Sequence, residues 1–158
     1  MNPAQEKILR QRLADGTDDE RLLNERLVAI GGDILVLMPR MKPNSEFQQQ
    51  WVKWQLELGQ LIDAPITLRR KEVSGCHRNM AKIWRKKQYG IAAICSGYGL
   101  LDDGLWADHS WGILPDGGIL ETTFRREKYF GLLHEGEMAD IFADIELGKK
   151  AAQPAAVR

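Results

Sequence analysis

The hydrophobic period of this chain switches from helical to alternating at Gly90, and that switch limits the folds open to it. Before Gly90 apolar residues recur at helical spacing, and after it they alternate with polar ones. Three alternating runs follow: "IAAICSGYGLL", "LWADHSWGIL" and "GILETTF", separated by "DDG" and "PDG". Glycine in such triplets supplies the positive φ of a tight turn, so the runs predict an antiparallel meander. Pairing Leu114 with Gly118 across the second turn sets Trp111 opposite Glu121 and His109 opposite Thr123. A slip of one residue would turn Glu121 to the other face.

The stretch before Gly90 predicts helices. Thr17 and Glu20 form a capping box ahead of "ERLLNERLVAI", where Leu22, Leu23, Leu27 and Ile30 share a face, and Gly31 and Gly32 end it. "DILVLMP", closed by Pro39, fits either a strand or a helical turn. Asn44 or Ser45 can cap "EFQQQWVKWQLELGQLI", whose stripe of Phe47, Trp51, Trp54, Leu58 and Leu61 is expected to pack in the core. "APITLRRKEV" reads as extended connecting chain. Ser74 stands as cap for "SGCHRNMAKIWRKKQ", with Cys76, Met80, Ile83 and Trp84 at helical spacing and Gly90 as its end. "GEMADIFADIEL" predicts a short C-terminal helix, and "LLHEGE" before it, with His134, reads as a loop. The expected class is α+β, with N-terminal helices packed on a small antiparallel sheet and the Cys76 helix against it: a single domain over 1–148, with helical part 3–62, core 74–124 and a flexible tail at 149–158.

With 44% apolar and 28% charged residues among 158, the chain can bury a sizeable core. Basic and acidic side chains balance at 22 each, which argues against nucleic acid or a membrane surface as partner. No apolar run reaches the length of a membrane span, and the charged N-terminus lacks the apolar stretch of a secretory signal, which points to the cytoplasm. Two cysteines, Cys76 and Cys95, cannot build a disulfide framework and are expected as free thiols.

Cys76 falls in the first turn of its predicted helix, where unpaired amides and the helix dipole stabilise a thiolate and could hold an oxyanion. His109 lies in the middle alternating run with Leu105, Ala107, Trp111 and Ile113 on its side, as a core histidine or as a general base. Glu121, a diagonal neighbour in the expected register, could orient that imidazole. A carboxylate, an imidazole and a thiol in this order follow the logic of nucleophile triads.

The stretch from Gly75 to Thr123 resembles the core of the transglutaminase-like superfamily, within the papain-like cysteine enzymes. "GC" opening a helix and followed by Ala81 is similar to the family's nucleophile segment, "YGIAAICSGYG" to its first core strand, and "HSW…DGGILETT" to its His-x-Trp strand, turn and acidic strand. The resemblance implies Cys76 as nucleophile, His109 as general base and acid, and Glu121 as orienting carboxylate. It implies a papain-like fold, hydrolysis of a protein or peptide amide through an acyl-enzyme, and no cofactor. The family usually has Asp where Glu121 stands and Pro where Ala92 stands; His77 after Cys76 is not part of its pattern.

Other readings use the same residues. Cys76, His77, His109 and Cys95 could bind a metal, although neighbouring Cys and His side chains diverge on a helix and no paired spacing appears. Cys95, within an alternating run, reads as a buried inert thiol. Arg78, Lys82, Arg85, Lys86 and Lys87 around Trp84 read as a solvated face, or as a patch for an acidic partner or nucleic acid. Asn79 could cap, lie on the surface or bond substrate. A non-catalytic module that binds a protein through Trp51, Trp54 and Trp84 is the rival to the enzyme. Substrate identity and oligomeric state stay open.

Overall fold

The computed structural model describes residues 1–37 and 46–148; Pro39, the Asn44 or Ser45 cap and the 149–158 tail lie outside them. The described residues form an α+β structure of five α-helices and seven strands. The helices are α1 (Pro3–Ala14), α2 (Asp18–Ile30), α3 (Glu46–Leu58), α4 (Cys76–Arg85) and α5 (Gly136–Glu146). The strands are β1 (Ile34–Leu35), β2 (Gln60–Ile62), β3 (Ile66–Leu68), β4 (Ala93–Leu100), β5 (Leu105–Ile113), β6 (Ile119–Glu121) and β7 (Lys128–His134). Their order in the sheet is β2-β7-β4-β5-β6-β3, with β1 beside β5. None of the described helices is long and apolar enough to cross a membrane.

The chain divides into two compact units. The first comprises Met1–Asp63, Gly97–His109 and Arg126–Leu132. Within it Thr17 and Glu20 make the expected reciprocal capping box at α2, worth about 1 kcal/mol, and Gly31 ends the helix. The undecided "DILVLMP" run holds β1, parallel to the start of β5 with Ile34 opposite Leu105. Leu23, Leu27, Leu35, Val52, Leu100, Trp106 and Phe130 form the core. The Trp106 indole donates to the Gly31 carbonyl at 2.7 Å, and the Arg26 guanidinium lies 5.0 Å from the Phe130 ring centre.

Helix α3 corrects two expectations. Its heptad-spaced stripe is not core: Phe47 is 69% exposed and Leu58 62%, with Trp54 and Leu61 also exposed, while Val52 and Gln55 are buried instead. Periodicity decides which residues share a face but not which face turns inward, and here the face one quarter-turn round packs on the sheet. Only Trp51 is half-buried, its indole bonding the Tyr98 hydroxyl. The helix also stops at Leu58, before Leu61. A Cβ at Gly59 would meet the Gln55 carbonyl at 2.3 Å and the Phe130 ring at 2.6 Å, and the chain continues as β2, antiparallel to β7.

The second unit comprises Ala64–Ser96, Ser110–Arg125 and Leu133–Arg158. "APITLRRKEV", expected as plain connection, contains β3, parallel to β6, and with β1 parallel to β5 the sheet is mixed, not the antiparallel one expected. The turn at Pro115 has the expected register: Leu114 N–H donates to Gly118 O at 2.8 Å, and Ile113 faces Ile119. Helix α4 is capped by Gly75, with no side-chain cap, not by Ser74. It ends at Arg85, short of Gly90, because Lys87 (φ 49°) and Tyr89 (φ 59°) are left-handed. Left-handed geometry at a non-glycine costs about 1 kcal/mol or more per residue. Met80, Ile83, Ile94, Leu120 and Ala139 form this unit's core. Asp140 on α5 accepts from the Trp84 indole at 2.9 Å and pairs with Arg85 at 3.0 Å, and Asp144 pairs with Arg85 at 2.7 Å.

Gly97 on β4 stands where no side chain fits. A Cβ there would stand 2.2 Å from the Phe130 carbonyl oxygen and 2.5 Å from Gly131 Cα. Gly97→Ala is expected to cost about 2–3 kcal/mol, typical of overpacking. In a domain this size that lowers the thermal midpoint by about 5–10 °C. A midpoint within about 1 °C of the parent in a calorimetric scan would rule out the contact.

Candidate active site

Cys76 is the first residue of α4, where glycine's lack of a side chain leaves the first-turn amides without a side-chain acceptor from the cap. Its thiol is half-buried. Cys95 on β4 is fully buried, and burial, with a smaller contribution from the nearby Glu135 carboxylate, pushes its pKa up to about 12. The two thiols therefore occupy different environments, one half-buried at a helix start, the other fully buried and inert as expected.

Glu121 ends β6 and is fully buried. Its Oε1 accepts from the Thr122 and Thr123 amides, both at 2.8 Å, and from the Thr123 hydroxyl at 3.0 Å. Three converging donors offset part of the desolvation of a buried carboxyl group and turn the chain out of the strand. Arg69 N–H donates to Glu121 O and Lys71 N–H to Thr122 O, at 2.8 and 2.7 Å.

Asn79, left open from sequence, is a buried tie within this unit. Its amide Nδ2 donates to Glu72 O at 2.8 Å and to Thr122 Oγ1 at 3.4 Å, while its backbone N–H makes the first α4 bond, to Gly75 O, at 2.7 Å. The start of α4, with Cys76, is thereby fixed against the residue that follows Glu121. Cys76 and Glu121 belong to this second unit and His109 to the first.

His109 on β5 is fully buried, its ring centre 6.1 Å from that of Tyr129. Arg126 Nη2 lies 3.5 Å from His109 Nδ1. A guanidinium can only donate, so in this contact Nδ1 is the acceptor. Gly99 makes room for this arginine: a Cβ there would stand 2.6 Å from Arg126 Cγ. The apolar neighbours of His109 in sequence gave no sign of Arg126, which lies 17 residues away in "TFRRE".

Two further histidines, neither given a partner from sequence, are engaged in the second unit. His77 Nδ1 and Ser110 Oγ are 2.5 Å apart, as are His134 Nε2 and Ser96 Oγ. The Phe142 ring lies 6.3 Å from His77 and 5.7 Å from His134, centre to centre. His134 is therefore the end of β7 and not a loop residue, and burial lowers its pKa below the ordinary 6.5. Both serine partners lie more than thirty residues away in sequence, on strands, beyond the reach of any local motif.

Two outcomes follow. Cys95 is expected to stay unmodified by iodoacetamide in the folded protein up to about pH 9, more than two units below its pKa, and to react only after unfolding. Peptide mapping of the alkylated sites checks this, and native-state labelling of Cys95 contradicts it. The lowered pKa of His134 means the unfolded chain binds its proton more readily, so this residue's contribution to stability is present above pH 6.5 and is lost as pH falls through the folded value. Urea midpoints at pH 7.5 and 5.0 should therefore fall less in His134→Gln than in the parent; an equal or larger fall excludes His134 as the cause. Searches of protein-family models, curated proteins and solved structures find no match to this chain.

Proposed function

We propose that the protein is a thiol hydrolase of the transglutaminase-like kind, with a papain-like arrangement, that cleaves amide bonds of a protein or peptide. The observation that carries the reading is the contrast of its thiols. The half-buried Cys76 opens a helix without a side-chain cap, whose start is tied by Asn79 to the residue after the buried Glu121. The only other cysteine is buried and held protonated.

In this reading the Cys76 thiolate attacks the scissile carbonyl carbon, and the first-turn amides of α4 take the negative charge that develops on its oxygen. The carbon–nitrogen bond then breaks, and the amine leaves with a proton from His109. Water, giving a proton back to His109, attacks the thioester; the carbon–sulfur bond breaks and the acid is released. Glu121, held by Thr122 and Thr123, is the orienting carboxylate. No cofactor enters these steps.

One observation favours the rival reading of a non-catalytic binding module. The exposed aromatic stripe of α3, with Phe47 and Trp54, is the kind of surface that docks a protein.

A peptide vinyl sulfone separates the two readings. The enzyme should form one adduct, on Cys76, and the rate should fall at least a hundredfold in His109→Ala, the scale of lost general acid–base catalysis, and substantially in Glu121→Ala. Thermal scans of the variants establish that they fold. Slow labelling of Cys76 at the same rate in parent and His109→Ala would overturn the hydrolase.

A further inference from the structure

Neutral overall charge hides a strong local asymmetry. Residues 69–87 carry eight of the chain's 22 basic side chains and a single acidic one, Glu72. The structure arrays them on one unit in two groups. Arg78 and Lys82 on α4 and Lys86 at its C-cap are exposed and recur every fourth residue, so they form one stripe. Arg69, Arg70 and Lys71 are exposed on the segment that leads into that helix. Lys71 Nζ lies 5.8 Å from the centre of the Tyr89 ring, which links this segment to the far end of α4. Arg125 donates to Ile66 O at 3.3 Å and adds a further cation beside it.

The array has a border. Arg85, also on α4, is not part of it, because Asp140 and Asp144 of α5 neutralise it. Among the described residues none of Arg78, Lys82 and Lys86 is paired with a carboxylate. Uncompensated like charges one helical turn apart repel one another, and an anionic partner would relieve that repulsion.

We infer that this basic face of α4 and residues 69–71 is a docking surface for an extended acidic peptide segment. Spacing supports an extended peptide. Cations four residues apart on a helix are about 6 Å apart along its axis. Alternate side chains of an extended peptide lie about 6.6 Å apart, so acidic residues at every second position can meet successive cations. The stripe from Arg78 to Lys86 is about 12 Å long, the length of about four extended residues. A nucleic acid strand held by its phosphates would need a longer track than this stripe. The surface also begins two residues from Cys76, on the same helix. Its role in selecting acidic substrates rests on the thiol hydrolase reading; the docking itself does not.

The test uses the full chain carrying Cys76→Ala, so that nothing is turned over, and fluorescence anisotropy with a labelled decapeptide of alternating Glu and Ser. Saturable binding is expected, weakening at least tenfold between 50 and 300 mM NaCl. A Lys82→Glu, Lys86→Glu double variant should lose at least tenfold in affinity, while Lys7→Glu on α1 should not; circular dichroism checks that both are folded. Absence of binding, equal binding of a Lys–Ser decapeptide, or an unaffected double variant overturns the proposal. Tighter binding of a ten-nucleotide oligothymidine, or of vesicles containing phosphatidylserine, overturns it in favour of a nucleic acid or a membrane. Peptide binding without vinyl sulfone capture by the parent Cys76 would sink the hydrolase and keep the surface; capture without peptide binding would do the reverse.

Discussion

The second unit is organised around the buried carboxyl group of Glu121. Its Oε1 gathers the Thr122 and Thr123 amides and the Thr123 hydroxyl, which ends β6 and bends the chain there. That bend presents Thr122 to two neighbours: its carbonyl to the Lys71 amide and its hydroxyl to Asn79. Asn79 in turn holds the Glu72 carbonyl and the first turn of α4. A fully buried polar side chain is costly unless its hydrogen bonds are made, and here those same bonds determine where a helix starts.

That helix start is where the chemistry of the chain concentrates. A glycine cap offers no side-chain acceptor of its own to the first-turn amides, and the half-buried thiol of Cys76 sits among them. The same helix is amphipathic in an uneven way. Its inner face packs Met80, Ala81 and Ile83, and its outer face is almost wholly basic. Salt bridges to α5 consume only Arg85, so the electrostatic character of α4 is set by Arg78, Lys82 and Lys86. The nucleophile proposed for the reaction and the surface proposed for docking thus both draw on one ten-residue helix.

Much of this arrangement was legible in the amino-acid order because it rests on local rules. The Thr17 and Glu20 box, the stop at Gly31, the turn pairing Leu114 with Gly118 and the exposure contrast between Cys76 and Cys95 all follow from spacing, turn chemistry or periodicity. What failed were judgements that depend on distant partners. The stripe from Phe47 to Leu58 reads as a buried seam, but the helix turns Val52 and Gln55 inward. β3 was missed because a three-residue strand has too few side chains for a period to show. Ser74 has the right chemistry for a cap, yet Gly75 holds the position.

By itself the sequence determined the α+β class, the alternating strands that follow Gly90, the register of the β5–β6 turn and which residue types could do thiol chemistry. These depend on backbone propensity and on neighbours a few residues apart. Tertiary structure alone decided which face of α3 is buried, that Asn79 is a tie, that Arg126 is the donor at His109, and that His77 and His134 each hold a strand serine. The reason is common to all of these. Each depends on a partner seventeen or more residues away, and only the packed fold brings such groups within hydrogen-bonding or van der Waals range.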